Sequence, residues 1–413
     1  MRILVWFQRD LRLHDHALLQ RVQDEGHEVL CVYCFDEEEK VDWPDGSPRW
    51  SDRKRKFLLE SLHDLYYGLE RLGVHLLYRE GPTSEVLAEL AWTHQIDEVW
   101  YSFTAGTEER RRAAAVAEVL PLRHFETQSL LEPADLPFEL AFMPAIFTEF
   151  RKRVEKFSGF RPPQGDIKSL RGIQTDETSE LPDPPRLEND ERTAFPFQGG
   201  EENGRQRLQQ WMWNGDNLRH YKETRNGLLG TDYSSKFSPW IAWGCLSPRY
   251  IVDEVRKYEN ERGANRSTYW LIFELLWRDF FHFTWRKEGG NFFKMPERFP
   301  YRPGPNFIAW KQGETGEEFI DANMRELAAT GFMSNRGRQN VGSYLVHHLK
   351  EDWVHGARWF ESQLIDYEPC NNYGNWTYVA GVGNDPRENR VFNPEKQAER
   401  YDPEKRYINT WNK

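Results

Sequence analysis

Hydrophobic positions along this chain fall into two regimes. Through residue 130, short apolar runs recur at intervals: ILVWF (3–7), EVLCVYCF (28–35), HLLYRE (75–80), EVWYSF (98–103) and LRHFE (122–126). Runs of this length, rich in β-branched and aromatic residues, read as strands. Between them the period changes to 3.6 residues. The clearest case puts Leu58, Leu62, Leu65, Leu69 and Leu72 on one stripe, closed by Gly73. This alternation predicts an α/β N-terminal domain over 1–130, a Rossmann-like parallel sheet with helices on both faces. Residues 131–204 read as an interdomain connector, and 158–204 in particular are rich in Pro, Gly and charge. From 205 to 413 the patterns are helical, which predicts an all-α C-terminal domain.

Two domains also suit a length of 413 residues, too long for one compact core. No apolar run is long enough to span a membrane. The apolar part of MRILVWFQRDLRLHD is too short for a signal peptide and lacks a small-residue cleavage site. It reads as a buried first strand, and the chain is expected in the cytoplasm. Cys31 and Cys34 form a CxxC inside a strand pattern, so they point to opposite faces and read as core thiols. No GxGxxG follows the first strand, so the sheet alone names no ligand.

Charge separates the halves. Residues 1–200 carry 25 Lys and Arg against 37 Asp and Glu, whereas 201–413 carry 30 against 29. Any nucleic-acid surface is therefore expected on the second half. Of the 17 tryptophans, 12 lie there too, which invites a reading in terms of stacking or electron transfer.

Four constellations in that half could carry chemistry. In YSSKFSPWIAWGCLSPR (233–249), Ser234, Ser235, Lys236 and Ser238 gather hydroxyls and a cation ahead of an apolar helical stretch. That suits a phosphate or, equally, an empty Ser-rich cap. In STYWLIFELLWRDFFHF (267–283), Ser267 reads as the cap, and Trp270, Glu274, Trp277 and Phe281 share one face. A carboxylate on an aromatic face is costly unpaired, so Glu274 either pairs with Arg278 one turn on or is reserved for a ligand. In GFMSNRGRQNVGSYLVHHLKEDW (331–353), Asn335, Arg336, Arg338, Gln339 and Asn340 crowd a helix start, suiting an anionic or planar group, or a solvated basic patch. LIDYEPCNNYGNWTYVAGVGNDPRENRVFNP (364–394) reads as a Gly-rich loop, with Asp366, Glu368, Asn371, Asn372 and Asn375 among Trp376 and Tyr378. Such a set suits a heteroaromatic ligand with donor and acceptor edges.

Together with the RDLRLHD opening, these segments resemble the photolyase/cryptochrome family in order and spacing over essentially the whole chain. The SNRGRQN and NYGNWTYVAGVGNDPREN wording is similar to the DASH branch. The resemblance implies a folded FAD in the helical domain. Tyr221, Ser234, Ser235, Lys236, Phe237 and Ser238 would hold its phosphates and ribityl chain, with Arg278 nearby. Asn335 and Arg338 would line the cavity, Asp366 would pair with Arg338 and face the flavin edge, and Glu368 would stand where the family usually has Asp. Asn372 would donate to flavin N5. The implied substrate is DNA containing cyclobutane pyrimidine dimers, preferably single-stranded, bound by a monomer. Glu274, Trp277, Arg336, Gln339 and Tyr378 would line the lesion pocket, with Glu274 bonding a pyrimidine carbonyl. Trp376 and Trp353 match the proximal and middle members of an electron relay.

Two departures bear on these expectations. Pro300-Tyr301 stand where the distal relay tryptophan belongs, leaving Tyr301 or Trp359 as substitutes. Relatives with a folate (methenyltetrahydrofolate) antenna often carry a Glu after the strand at 98–103, where this chain has Thr104-Ala105, which argues against that antenna. The competing reading is a blue-light photoreceptor that does not repair. Asn372, Glu274, Trp277 and the want of a long tail after VFNPEKQAERYDPEKRYINTW favour repair. Repair of (6-4) products needs a pocket histidine where Ser334-Asn335 stand.

Overall fold

The computed structural model describes residues 1–43, 46–177, 179–295, 303–383 and 391–413. Five strands predicted from the apolar runs form: β1 (Arg2–Phe7), β2 (Glu28–Phe35), β3 (Leu76–Glu80), β4 (Glu98–Ser102) and β5 (Leu122–Phe125). They pair in parallel in the order β3-β2-β1-β4-β5. Helices α1 (Ala17–Glu25), α2 (Asp52–Arg71), α3 (Thr83–Thr93) and α4 (Thr107–Val119) connect them. Alternate residues of β1 face different cores. Ile3, Val5 and Phe7 join α2 and the helical half, whereas Leu4 and Trp6 pack with residues of α3 and α4. Burial of both faces explains why these strands are continuously apolar. The four cysteines are buried and unbridged.

The connector is more structured than its composition suggests. It holds α5 (Phe147–Phe157) and a sixth strand, β6 (Arg171–Gly172), which pairs in parallel with the start of β2. The helical half runs α6 (Glu201–Leu208), α7 (Tyr221–Thr224), α8 (Ser238–Ala242), α9 (Pro248–Arg262), α10 (Arg266–Glu288), α11 (Pro305–Gln312), α12 (Glu318–Thr330), α13 (Asn335–Ser343), α14 (Trp353–Gln363), α15 (Pro369–Ala380), α16 (Pro394–Tyr401) and α17 (Arg406–Trp411). Among the described residues no helix is long and apolar enough to cross a membrane.

The two halves meet through residues 9–15, RDLRLHD, which leave the carboxyl end of β1. Arg12 is fully enclosed, and its guanidinium donates to the carbonyls of His14 (2.9 Å), Gly244 (2.8 Å), Asp15 (2.9 Å) and Thr127 (2.6 Å). Arg9 donates to Tyr367 O at 2.8 Å and lies over the Trp243 ring. His14 donates through Nδ1 to Glu201 (2.7 Å) and accepts Ser247 N–H at Nε2 (3.1 Å). That pair of bonds requires the neutral tautomer. Gly244 is needed at the crossing. Its φ is +70°, and a Cβ there would lie 2.0 Å from Arg9 O.

Asp15 closes the clamp by accepting from the Ser247 hydroxyl and from Arg249 Nε (3.0 Å). Burial would raise its pKa, but the charges of Arg249 and Arg12 and the Ser247 bond outweigh that and hold it below the usual carboxylate value. Asp15→Ala would leave Arg249, whose side chain is 6% exposed, with only the more distant Glu132 (3.3 Å) as a carboxylate partner among the described residues. The expected cost is about 3–5 kcal/mol in denaturant unfolding, and a loss below about 1 kcal/mol would refute the clamp. Because the folded pKa is depressed, Asp15 stabilises fully above its ordinary value and less as pH falls through the depressed one. Asp15→Asn is therefore expected to flatten the acid limb of the stability profile.

Candidate functional site

The helical half encloses a cavity of about 500 Å³ lined from α10, α13, α15 and residues 234–242. One wall is the serine-rich turn. Arg207 pins it by donating to the carbonyls of Thr231 (2.8 Å), Ser234 (3.2 Å) and Ser235 (3.0 Å). Lys236, in a left-handed conformation (φ +57°), donates to Gly230 O at 3.2 Å and packs over Tyr233. Burial and the nearby Arg207 push its pKa down to about 7. Tyr221, Ser234, Ser235, Lys236, Phe237 and Ser238 all line the cavity. The helix after them, α8, has only five residues, so the hydroxyls and Lys236, rather than a long helix's dipole, give this wall its polarity.

The opposite wall departs from the sequence reading. Residues 369–380 form a helix, α15, where a loop was expected. Asn and Gly disfavour helix, but Glu368 caps the start by accepting Cys370 N–H (3.2 Å) and Asn371 N–H (2.8 Å). Pro369 occupies the first turn, and Gly381 (φ +73°) ends the helix. Asn372, Trp376 and Val379 thereby share a face, and all line the cavity. Burial would raise the pKa of Glu368, but His282 at 3.2 Å and Arg278 bring it down to about 2.

Beside this wall, Asp366 Oδ2 accepts from Ser238 (2.6 Å) and Arg338 (2.7 Å), the pairing expected for Arg338. Its Oδ1 is buried without a hydrogen-bond partner among the described residues. Asn372 Nδ2 donates one of its two hydrogens to Ala357 O at 3.0 Å, which leaves the donor role expected of this residue open.

At a third side stands Glu274. Asn265, not Ser267, caps α10, accepting Ser267 and Thr268 N–H. Of the two alternatives left open for Glu274, the pairing with Arg278 does not form; Arg278 donates to Gln128 O. Arg225 takes its place, and Trp270 Nε1 donates to the same Glu274 oxygen at 3.1 Å. Burial raises the Glu274 pKa, opposed by Arg225 and Trp270. Arg225 was not singled out from the sequence. It lies in HYKETRNG, where no periodicity marks it.

Trp277 stacks on Phe147 of α5 (3.7 Å) and meets Tyr378 edge-on (5.9 Å). Arg278, Asn335, Gln339, Trp277 and Tyr378 line the cavity. Arg336 does not; it stands one layer out, donating to Gln339 Oε1 (2.8 Å) and Asn226 Oδ1 (3.0 Å).

Trp376 lies against Phe360 (5.1 Å) and Trp310 (6.2 Å). Its indole fills the space a Cβ at Gly356 would take, 2.2 Å away. Trp353, the first residue of α14, is off the cavity, one helical turn before Gly356 and edge-on to Tyr373 (6.3 Å). Pro300 and Tyr301 lie outside the described residues. The ammonium of Lys311 lies 5.3 Å over Trp359, which disfavours a positive charge on that ring.

A second cavity, of about 410 Å³, opens at the carboxyl ends of β1 and β2 between the two halves. Such ends are the usual ligand crevice of a parallel sheet. Trp50, Trp243, Tyr367 and Arg9 line it, with buried Lys54 and half-buried Glu109. Lys54 is brought down to about 7 and Glu109 pushed up to about 7, both chiefly by burial. Thr104 is buried and accepts from Gln128 (3.0 Å), so the carboxylate sought after β4 enters instead from position 109.

Comparison with known proteins accounts for both halves. The family model described as DNA photolyase matches residues 3–166, and the one described as the FAD binding domain of DNA photolyase matches 270–412. Cryptochrome DASH of Synechocystis sp. is 43% identical, over 99% of this chain and 87% of its own. The crystal structure of the Synechocystis sp. cryptochrome superposes with a TM-score of 0.94, at 43% identity over 99% of this chain and 88% of that one. An archaeal photolyase from Sulfolobus tokodaii, whose structure is described as having two FAD molecules, superposes at 0.79, with 26% identity over 100% and 90% of the two chains. The large cavity suits the cofactor. Hydroxyls and Lys236 offer partners for phosphates at one wall, and the unpartnered Asp366 oxygen awaits a donor at the other. This FAD-binding chain belongs to the photolyase/cryptochrome family, in its DASH branch.

Proposed function

We propose that the chain repairs cyclobutane pyrimidine dimers, best in single-stranded DNA, under blue light. The observation that carries this is one cavity holding both the wall of Asp366 and Asn372 and the opening of Glu274, Trp277 and Tyr378. Cofactor and lesion would thus meet without protein between them. Reduced, photoexcited FAD supplies the electron that opens the cyclobutane ring and takes it back. Ser234, Ser235, Lys236 and Ser238 would hold its phosphates and ribityl chain, and Asp366 with Arg338 its ring edge. Asn372 would present Oδ1 to an N–H of the reduced ring.

Glu274, held by Arg225 and Trp270, would bond the pyrimidine carbonyl. A carboxyl whose pKa is raised by burial is suited to donating a proton to an oxygen that gains charge. Trp277 and Tyr378 would flank the bases, with Gln339 at their polar edge. Extruding the dimer from a duplex costs a few kcal/mol. A single strand avoids much of that cost.

The second cavity would hold a flat heteroaromatic antenna stacked among Trp50, Trp243 and Tyr367, with Glu109 as its polar anchor. An absorption band beyond those of flavin in the purified protein would support this, and a pure flavin spectrum would count against it.

Glu274→Ala is expected to keep FAD and lose repair of a dimer-containing oligonucleotide about tenfold or more, with Glu274→Gln, which retains a neutral donor, in between. Unchanged repair would show that the lesion pocket is misassigned. If FAD-loaded, chemically reduced wild type splits no dimers, the chain is a photoreceptor.

Trp376 would lose an electron to photoexcited oxidised flavin and regain it through Trp353, with an added thiol as final donor. Trp376→Phe is therefore expected to abolish photoreduction while leaving repair by chemically reduced enzyme intact. Normal photoreduction in that variant would exclude the relay.

A further inference from the structure

We infer that the rim of the large cavity is a track for the nucleotides flanking a lesion, with Trp270 and Tyr401 as base-stacking platforms. This rests on the single-strand reading above. A chain of contacts links the platforms through residues that line the cavity. Tyr401, the last residue of α16, has the Arg336 guanidinium 4.6 Å from its ring centre and that of Arg400 at 5.3 Å. Arg336 bonds Gln339, which lines the cavity, and Asn226, the neighbour of Arg225. Arg225 bonds Glu274 and lies 5.6 Å from the ring centre of Trp270, with Lys222 Nζ at 4.7 Å. Each end of the strip sets an aromatic ring between two cations, Arg400–Tyr401–Arg336 and Arg225–Trp270–Lys222, and Asn226, Glu274 and Gln339 stand between the two ends.

That alternation is what a sequence-tolerant single-strand site requires: cations for the backbone, aromatic faces for unpaired bases. Both rings are only partly buried, although one Trp270 face is backed by Phe273 at 4.6 Å. A cation over an exposed ring is held weakly, whereas stacking of a base is stronger. A base would displace Lys222 or Arg400 from the ring toward the adjacent phosphate, while Arg225 and Arg336 keep their bonds to Glu274, Gln339 and Asn226. A duplex hides its base faces and gains only the phosphate contacts. The strip also suits the charge division of the chain, lying wholly in the half that is not acidic.

The test uses undamaged strands, so it is independent of catalysis. FAD-loaded protein is titrated against fluorescent oligothymidylate and against a duplex hairpin, at several salt concentrations. Tyr401→Ala is expected to weaken single-strand binding roughly tenfold, with duplex binding changed less than about twofold. Tyr401→Phe should restore affinity. Arg400→Gln, at an exposed position, should lower the single-strand salt slope by about 0.7. Unchanged single-strand binding by Tyr401→Ala, an equal loss on the duplex, or no rescue by Phe would overturn the inference. If Tyr401→Ala loses flavin, an unaltered salt slope in Arg400→Gln would overturn it instead. Failure of the wild type to split dimers would sink the repair reading and leave this binding comparison standing.

Discussion

The structure depends on how the backbone leaving β1 is satisfied once it is buried between two domains. Residues 9–15 run through an interior where water cannot reach their amides and carbonyls, and an unpaired buried group is expensive. Arg12 answers this by spending its fixed fork of donors on four carbonyls from both halves, with no carboxylate in direct contact. Arg9 and Leu11 then anchor Trp243, and His14 and Asp15 anchor Ser247. Residues 241 and 242, which line the large cavity, lie on the stretch so fixed. A motif that reads as chemistry, with its arginines, aspartates and histidine, is a joint whose position sets the cavity.

The same joint sets the relation between the two cavities. Tyr367 lines both, and its carbonyl receives Arg9. On one side of it Trp243 faces the crevice at the strand ends; on the other stand Asp366 and Glu368. A chromophore in each cavity would be separated by little more than one layer of side chains, close enough for excitation to pass from one to the other. The N-terminal sheet, which carries none of the described groups around Glu274, would thereby acquire a part in the proposed chemistry.

The sheet was legible because burial on both faces leaves no polar alternation to confuse strand with helix, and the runs at 3–7, 28–35 and 98–103 show it. The walls of the cavity were legible as residue types, not as geometry. Residues 369–380 looked like a loop because Asn and Gly are poor helix formers. Yet a cap at Glu368, a proline at the first turn and burial of Trp376 outweigh local propensity. Arg278 was the one partner offered for Glu274, beside a ligand, because helical spacing is the only neighbour relation a sequence shows directly. Arg225, 49 positions away, is a tertiary partner that spacing does not reveal. Arg336 was placed in the pocket with Gln339, three positions on, but it reaches outward to Asn226. Glu109 escaped notice because the carboxylate was sought directly after β4, not on the helix that follows.

Glu368 shows how a small departure from a family pattern acquires a reason. Aspartate is among the best helix caps, and glutamate is not. Here the longer side chain caps α15 and also brings a carboxylate oxygen to 3.2 Å from His282 on α10. A shorter aspartate would still reach the amides of residues 370 and 371, but its carboxylate would stand about one methylene farther back from the imidazole. The extra length therefore ties the start of α15 to α10, the helix that carries Glu274 and Trp277. The face bearing Asn372 and Trp376 and the face that would hold the lesion are tied together by one buried contact, Glu368 against His282. The proposed electron transfer across the cavity would depend on the separation of those two faces.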